Sequence, residues 1–413
     1  MNTTKSHSKR ISYGIIIIAA ALMIQFIGWG NFNTFGLFVN QFEQNLGWSR
    51  ALISGAASVT MLVHGFFSII MGNISDRYGP RLVMAACSII LALGTFLTSK
   101  VSAQWQLYLF WGVIVGIGAS ALDVVVLSTI ARWFRKKRSI INGIVKTGAG
   151  LGQLTFPFIT STIILASGWR NAYIALAVIC LVLLLTASQF LRRDPQEGNL
   201  NHNHNNKSGD QVVVEEGVTF KKALRLRQFW AVIAAYAVAL FCTYTIQVHI
   251  APHSIALGSS ITQAAGMLSI IGAFSLIGRF VTGAIGDRIG NIKTMMGCCG
   301  LLVVTLFCLG FIRETWLFYL VLPVYGFGHG GIYSLISPMI AGLFGTGSHG
   351  AIYGVIIFGG TIGGAIGPLL AGAIFDMTGN YRVVFFILSA VAVGGLALLS
   401  SLKPVAAREL KNG

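Results

Sequence analysis

Three ionisable side chains lie deep inside apolar stretches of this 413-residue chain: Asp123, Lys146 and Arg279. A charge surrounded by hydrocarbon is costly enough to mark a binding site or an ion pathway by default. Arg279 is the candidate clamp for a carboxylate, because a guanidinium offers two parallel donors and stays charged when desolvated. Asp123 and Lys146 flank the basic run Arg132 to Arg138 at nearly equal separations. Antiparallel helices joined there would hold them at one depth, either as a structural ion pair or as a relay that carries a proton. Arg279 lies eight residues before Asp287 and falls at about the same level. At about 1.5 Å per residue, all three sit roughly 10 to 12 Å from one membrane boundary, near the midplane.

Residues three, four and seven apart share a helix face. Arg279 shares its face with Gly272, Ser275 and Thr282, Lys146 with Asn142, Gly150 and Gln153, and Asp123 with Gly116 and Ser120. All three faces are small or polar, so Ser275 and Asn142 join Arg279 as candidate substrate contacts. Tyr333 and Tyr353 are further candidates for a substrate hydroxyl or keto group, or else they bond a neighbouring helix. His64 and His329 are expected to bond between helices, and His249 and His253 to be hydrated near an outer mouth. With Asp123 ionised and both bases protonated the empty site carries one positive charge, which one carboxylate cancels. That balance favours exchange of anions. A neutral Lys146 in the empty site would instead make each carboxylate travel with a proton, and a protonated Asp123 would leave two cations for a dicarboxylate. The residues alone leave the three open.

The elements that must position these groups follow from composition. The chain is 55% hydrophobic and 10% charged, with a mean hydropathy of +0.76, which belongs in a bilayer. Twelve apolar stretches, from 13–38 to 381–402, can each cross about 30 Å of hydrocarbon as a helix. The first is too long for a signal-peptide core and is expected to be retained. Lys5, Lys9, Arg10, Arg132 to Arg138, Arg192, Arg193, Lys221, Lys222, Arg225 and Arg227 collect on one side, which predicts cytoplasmic termini in a multi-pass cell membrane protein, a cell inner membrane. The net charge of +17 then reports topology and contact with membrane lipid rather than nucleic acid. The six cysteines fall in apolar stretches and pack as small hydrophobes, so no disulfide, metal or cofactor is expected. A hydrophilic linker at 192–228 separates an N-terminal bundle, 1–191, from a C-terminal one, 229–413. Its His202 and His204 read as part of a polar tract rather than a metal site. Thr219 to Trp230 reads as a short surface helix.

One loop signature occurs twice, 211 residues apart: Gly72, Asp76, Arg77, Gly79 and Arg81, then Gly283, Asp287, Arg288, Gly290 and Lys293. The same offset pairs Gly143 with Gly354, Gly148 with Gly359, Gly152 with Gly363, Pro157 with Pro368 and Gly168 with Gly379. The chain is a duplicated half, as in transporters built of two pseudo-symmetric bundles around a central site. Asp76, Arg77, Asp287 and Arg288 read as a conformational latch, or as ordinary tight turns closed by glycine.

Twelve helices in two halves with this loop after the second and eighth resemble the major facilitator superfamily over essentially the whole chain. Narrower features resemble its monocarboxylate transporter and oxalate/formate exchanger branch: Arg132-Trp133-Phe134, Gln228-Phe229-Trp230, His249-x-x-Pro252-His253 and the lone Arg279. The resemblance implies an all-α membrane protein that moves a small monocarboxylate by alternating access with proton symport, Arg279 being its substrate arginine. Two departures count against parts of that pattern. Proton-coupled animal members carry an Asp one turn before the arginine, where this chain has Ser275, and a Lys in the first helix, absent here. Oxalate exchangers carry a second cation in the eleventh helix, where this chain has Gly360. A carboxylate exchanger and a drug/proton efflux transporter are the alternatives, and a transporter-like sensor is a weaker one. No nucleotide-binding loop, nucleophile constellation or metal cluster is visible, so the chain does not read as an enzyme. A monomer is expected.

Overall fold

The computed structural model describes residues 2–134, 138–192, 218–345 and 348–402. It is helical throughout these segments. The helices are α1 (Asn2–Phe32, continued by Phe35–Leu46), α2 (Arg50–Tyr78), α3 (Pro80–Thr98), α4 (Gln104–Trp133), α5 (Arg138–Ser167) and α6 (Trp169–Ser188). The second half repeats the order with α7 (Arg227–Ala256), α8 (Ile261–Ile289), α9 (Asn291–Leu309), α10 (Thr315–Phe344), α11 (His349–Thr378) and α12 (Arg382–Ser400). Among the described residues, eleven of these are long and apolar enough to cross a membrane. The twelfth, α10, is 30 residues long, but its Gly326 to Gly331 tract, with His329 in it, dilutes its apolarity. Most of the 192–228 linker, with His202 and His204, lies outside the described residues. The surface helix expected over Thr219 to Trp230 is only one turn, Phe220–Ala223, before α7 begins at Arg227.

Duplication in sequence is duplication in packing. On α5, a Cβ added at Gly152 would lie 2.1 Å from the Phe26 carbonyl oxygen of α1. The equivalent Gly363 on α11 would meet the Ala237 oxygen of α7 at 2.0 Å. Residues 26 and 237 are themselves 211 apart. Each half therefore packs its fifth helix on its first through the same backbone contact, which only glycine permits. Gly79 and Gly290 end α2 and α8 at φ of 94° and 96°, the left-handed region that a side chain resists.

The two bundles meet along α2 with α11 and α5 with α8. On the face opposite the termini this seam is tight: a Cβ at Gly372 would lie 2.7 Å from the Arg50 oxygen. Midway along, Gly65 faces Thr361 and Gly150 faces Leu276. Seven residues nearer the terminal face, and on the same helix sides, Gly354 and Gly143 meet nothing within 4 Å. The seam is thus closed on the face away from the termini and open toward them.

Candidate functional site

Asp123 and Lys146 form an ion pair. Lys146 Nζ lies 2.6 Å from Asp123 Oδ1, and both side chains keep about 30% exposure (30% and 31%), so the pair lines the open side of the seam. Two further donors reach the same oxygen, Gln25 Nε2 at 2.9 Å and Trp29 Nε1 at 3.2 Å. The Lys146 ammonium stands 5.8 Å from the centre of the Trp29 ring. Ser120 keeps a helical conformation and donates its amide to the Ile117 oxygen at 3.2 Å, so α4 tightens locally one turn before Asp123 and runs on through it.

Arg279 approaches from the other bundle. Its Nη1 donates to the Lys146 carbonyl oxygen at 2.8 Å, across the seam from α8 to α5. Its Nε is buried with no hydrogen-bond partner. The cation predicted as a carboxylate clamp is therefore held by one backbone oxygen of the ion-pair residue, with a donor left over.

The remaining sequence candidates divide. Ser275 is fully buried, and its hydroxyl is paired with His329 Nδ1 at 3.1 Å, so it stands behind Arg279 rather than beside a ligand; this is also the helix–helix bond expected of His329. Tyr333 packs on His329 with centroids 4.9 Å apart. Tyr236, which the sequence did not single out, lies within electrostatic reach of Tyr333, Tyr353, Asp123 and Arg279. Its ring also fills the place of a larger residue at Gly360, where a Cβ would lie 2.4 Å from it. Asn142 leaves its Oδ1 buried and unpartnered one turn from Lys146. His64, expected to bond a neighbouring helix, has no partner at either ring nitrogen.

His249 and His253 are not hydrated at a mouth; they are 1% and 7% exposed. His249 Nε2 donates to the Pro368 oxygen at 2.8 Å, which leaves Nδ1 to accept from Tyr381 OH at 2.8 Å. Tyr381 in turn accepts from Arg50 Nη1 at 3.1 Å, and Arg50 pairs with Glu43 at 2.8 Å. Asp376 of α11 accepts from the Arg50 and Ala51 amides at 3.0 and 2.8 Å, capping the N-terminus of α2 from the opposite bundle. Burial here is a product of bundle closure. Removing this cap by Asp376→Ala should cost about 1 kcal/mol of the closed state, roughly a fivefold population shift. Ser58 lies seven residues from both Ala51 and Gly65, on the same face of α2, and is 6% exposed. A cysteine replacing it, probed with a membrane-impermeant thiol reagent from that face, should label about fivefold faster; an unchanged rate would remove Asp376 from the seal.

At the terminal face, Asp76 is ion-paired with Arg132 at the end of α4. Arg77 lies over the Tyr78 ring, 5.3 Å from its centre. Asp287 and Arg288 are exposed. The position equivalent to Arg132 is Leu343, so the second half has no basic residue at the place from which the first half pairs its loop aspartate.

Comparison with known proteins agrees with this architecture. The chain is 26% identical over 393 residues to monocarboxylate transporter 13 of Bos taurus, covering 94% of this chain and 89% of that one. It is 28% identical to the oxalate:formate antiporter of Oxalobacter formigenes, covering 80% and 79%. The fold matches the crystal structure of a bacterial homolog of the human lysosomal transporter Spinster with a TM-score of 0.74 at 14% identity, over 94% and 96% of the two chains. The Major Facilitator Superfamily model matches residues 18–368. With that match spanning most of a duplicated, multi-pass helical chain, this protein belongs to the Major Facilitator Superfamily and is a transporter rather than an enzyme.

Proposed function

We propose that the chain carries a small monocarboxylate across the cell membrane by alternating access, with a proton as the coupled ion. The observation that carries this reading is Arg279: a seam-spanning guanidinium with a buried, unpartnered Nε, beside an Asp123–Lys146 pair whose charges cancel. The site therefore holds one uncompensated positive charge, matched to one carboxylate. The protein named monocarboxylate transporter 13 supports the same substrate class, and the oxalate:formate antiporter supports a small carboxylate more broadly. Tyr236 over Gly360 argues against a second cation there, and with it against a dicarboxylate clamp.

In this reading the halves 1–191 and 229–413 rock about the site, the 192–228 linker and both termini are cytoplasmic, and the chain works as a monomer. The present state is then open to the cytoplasm. Proton symport requires one of the paired groups to change protonation as the anion leaves; Lys146 is the candidate, because neutralising it makes empty and loaded sites equally neutral. Exchange of one anion for another is the second reading, favoured if the pair stays ionised and the empty site keeps its charge. The two separate in empty proteoliposomes. An imposed inward proton gradient should drive labelled lactate to accumulate above equilibrium in the symporter, whereas an exchanger accumulates it only after internal loading with a carboxylate. No lactate uptake above protein-free vesicles under either condition would overturn both.

A further inference from the structure

Beside the ion pair stands a side chain that the transport reading does not use. His64 lies midway along α2, 7% exposed, with its ring 5.7 Å from Trp29 and 6.3 Å from Phe32 between centroids. It is within electrostatic reach of both Asp123 and Lys146. Trp29 is the indole that donates to Asp123 and lies against the Lys146 ammonium, so the imidazole shares a wall with the pair. Neither of its nitrogens has a partner, although buried polar groups are nearly always satisfied. The duplication supplies an internal comparison. The residue equivalent to His64 is Ser275, and there an imidazole, His329, is bonded to the protein. In the second half the side chain at the equivalent position bonds an imidazole from α10; in the first, the imidazole is at that position itself and has no partner.

The unpartnered atoms define what would satisfy them. A neutral imidazole offers one N–H and one lone pair. Gln25 Nε2 is committed to the Leu122 oxygen at 2.6 Å and to Asp123, which fixes the amide and leaves its buried Oε1 needing a donor. Arg279 Nε needs an acceptor. A carboxylate supplies the last. Among hydroxy, oxo and unsubstituted acids, only the hydroxyl can accept from the His64 N–H while donating to Gln25 Oε1; a keto oxygen accepts but cannot donate, and an unsubstituted chain does neither.

We infer that His64 is a specificity-determining residue that binds the hydroxyl of a small hydroxy monocarboxylate and discriminates against its oxo and unsubstituted analogues. The inference rests on the carboxylate reading of Arg279. A site built to bond a hydroxyl rejects analogues that lack it far more strongly than an apolar pocket rejects a missing methylene.

Initial rates of labelled lactate, pyruvate and propionate uptake into proteoliposomes test it. Wild type should show a kcat/KM for lactate about tenfold or more above the other two. His64→Phe should bring lactate to within about twofold of propionate while propionate uptake is preserved, and His64→Gln should keep part of the preference. The inference is overturned if wild type carries all three acids equally, or if His64→Phe keeps the preference. Loss of propionate uptake in both variants assigns His64 a structural role and also overturns it. If wild type carries none of the three, the carboxylate reading itself fails, a result distinct from transport without discrimination.

Discussion

Arg279→Ala is expected to lower kcat/KM for carboxylate uptake by about 10²- to 10³-fold, the loss typical of truncating one partner of a desolvated charge pair. Arg279→Lys should recover only a minor part. A lysine keeps the charge but not the planar fork, and its single nitrogen cannot hold the Lys146 oxygen and a carboxylate in the geometry available to Nη1 and Nε. Because the Lys146 oxygen belongs to the other bundle, a ligand that draws the guanidinium toward itself competes with a contact that ties the bundles together. In the proposed cycle, binding would thereby be linked to rocking through one side chain. Uptake rates normalised to folded protein, with thermal unfolding of the variants alongside, check this; an Arg279→Ala rate within threefold of wild type would remove Arg279 from the site.

What the sequence revealed and what it hid follow a physical division. Depth is legible, because helices joined by a short loop rise together: the spacing puts Asp123 and Lys146 at one level, and they meet at 2.6 Å. The paired glycines were legible because each half repeats the same backbone contact. The partner of Arg279 was not, since it is a main-chain oxygen reached across the bundle seam, and no local pattern encodes which carbonyl a distant helix presents. His249 and His253 were misplaced for the same reason. Their positions near a helix end suggested water, but closure of α2 and α11 over them, with Tyr381 and Pro368, makes them part of a seal. Ser275 was placed on the right face, yet His329 takes its hydroxyl. Gln25 and Trp29 carry a readable signal, a polar amide and an indole in mid-span of the first apolar stretch, but neither is ionisable, so charge does not mark them. Tyr236 offered less, a single tyrosine in an apolar helix, whose one clue is that it occupies the position equivalent to Gln25.

The Asp123–Lys146 pair should separate stability from coupling. Asp123→Ala leaves the Lys146 ammonium with Trp29 and the neighbouring Arg279, a like charge. Breaking a fully buried pair costs about 3 to 5 kcal/mol, but side chains about 30% exposed are partly screened, and about 1 to 3 kcal/mol is the expected loss. Asp123→Ala/Lys146→Ala should recover most of it, because the uncompensated charge is gone. The positive coupling between the two sites in such a cycle measures the pair itself. Transport should behave differently. Lys146→Gln keeps a hydrogen-bonding side chain near Asp123 but cannot take up or release a proton, so lactate uptake should no longer respond to an imposed proton gradient. The double alanine variant, though restored in stability, should be equally uncoupled. Gradient-driven accumulation that survives Lys146→Gln would exclude Lys146 as the proton carrier, and survival in the double variant would exclude the pair altogether.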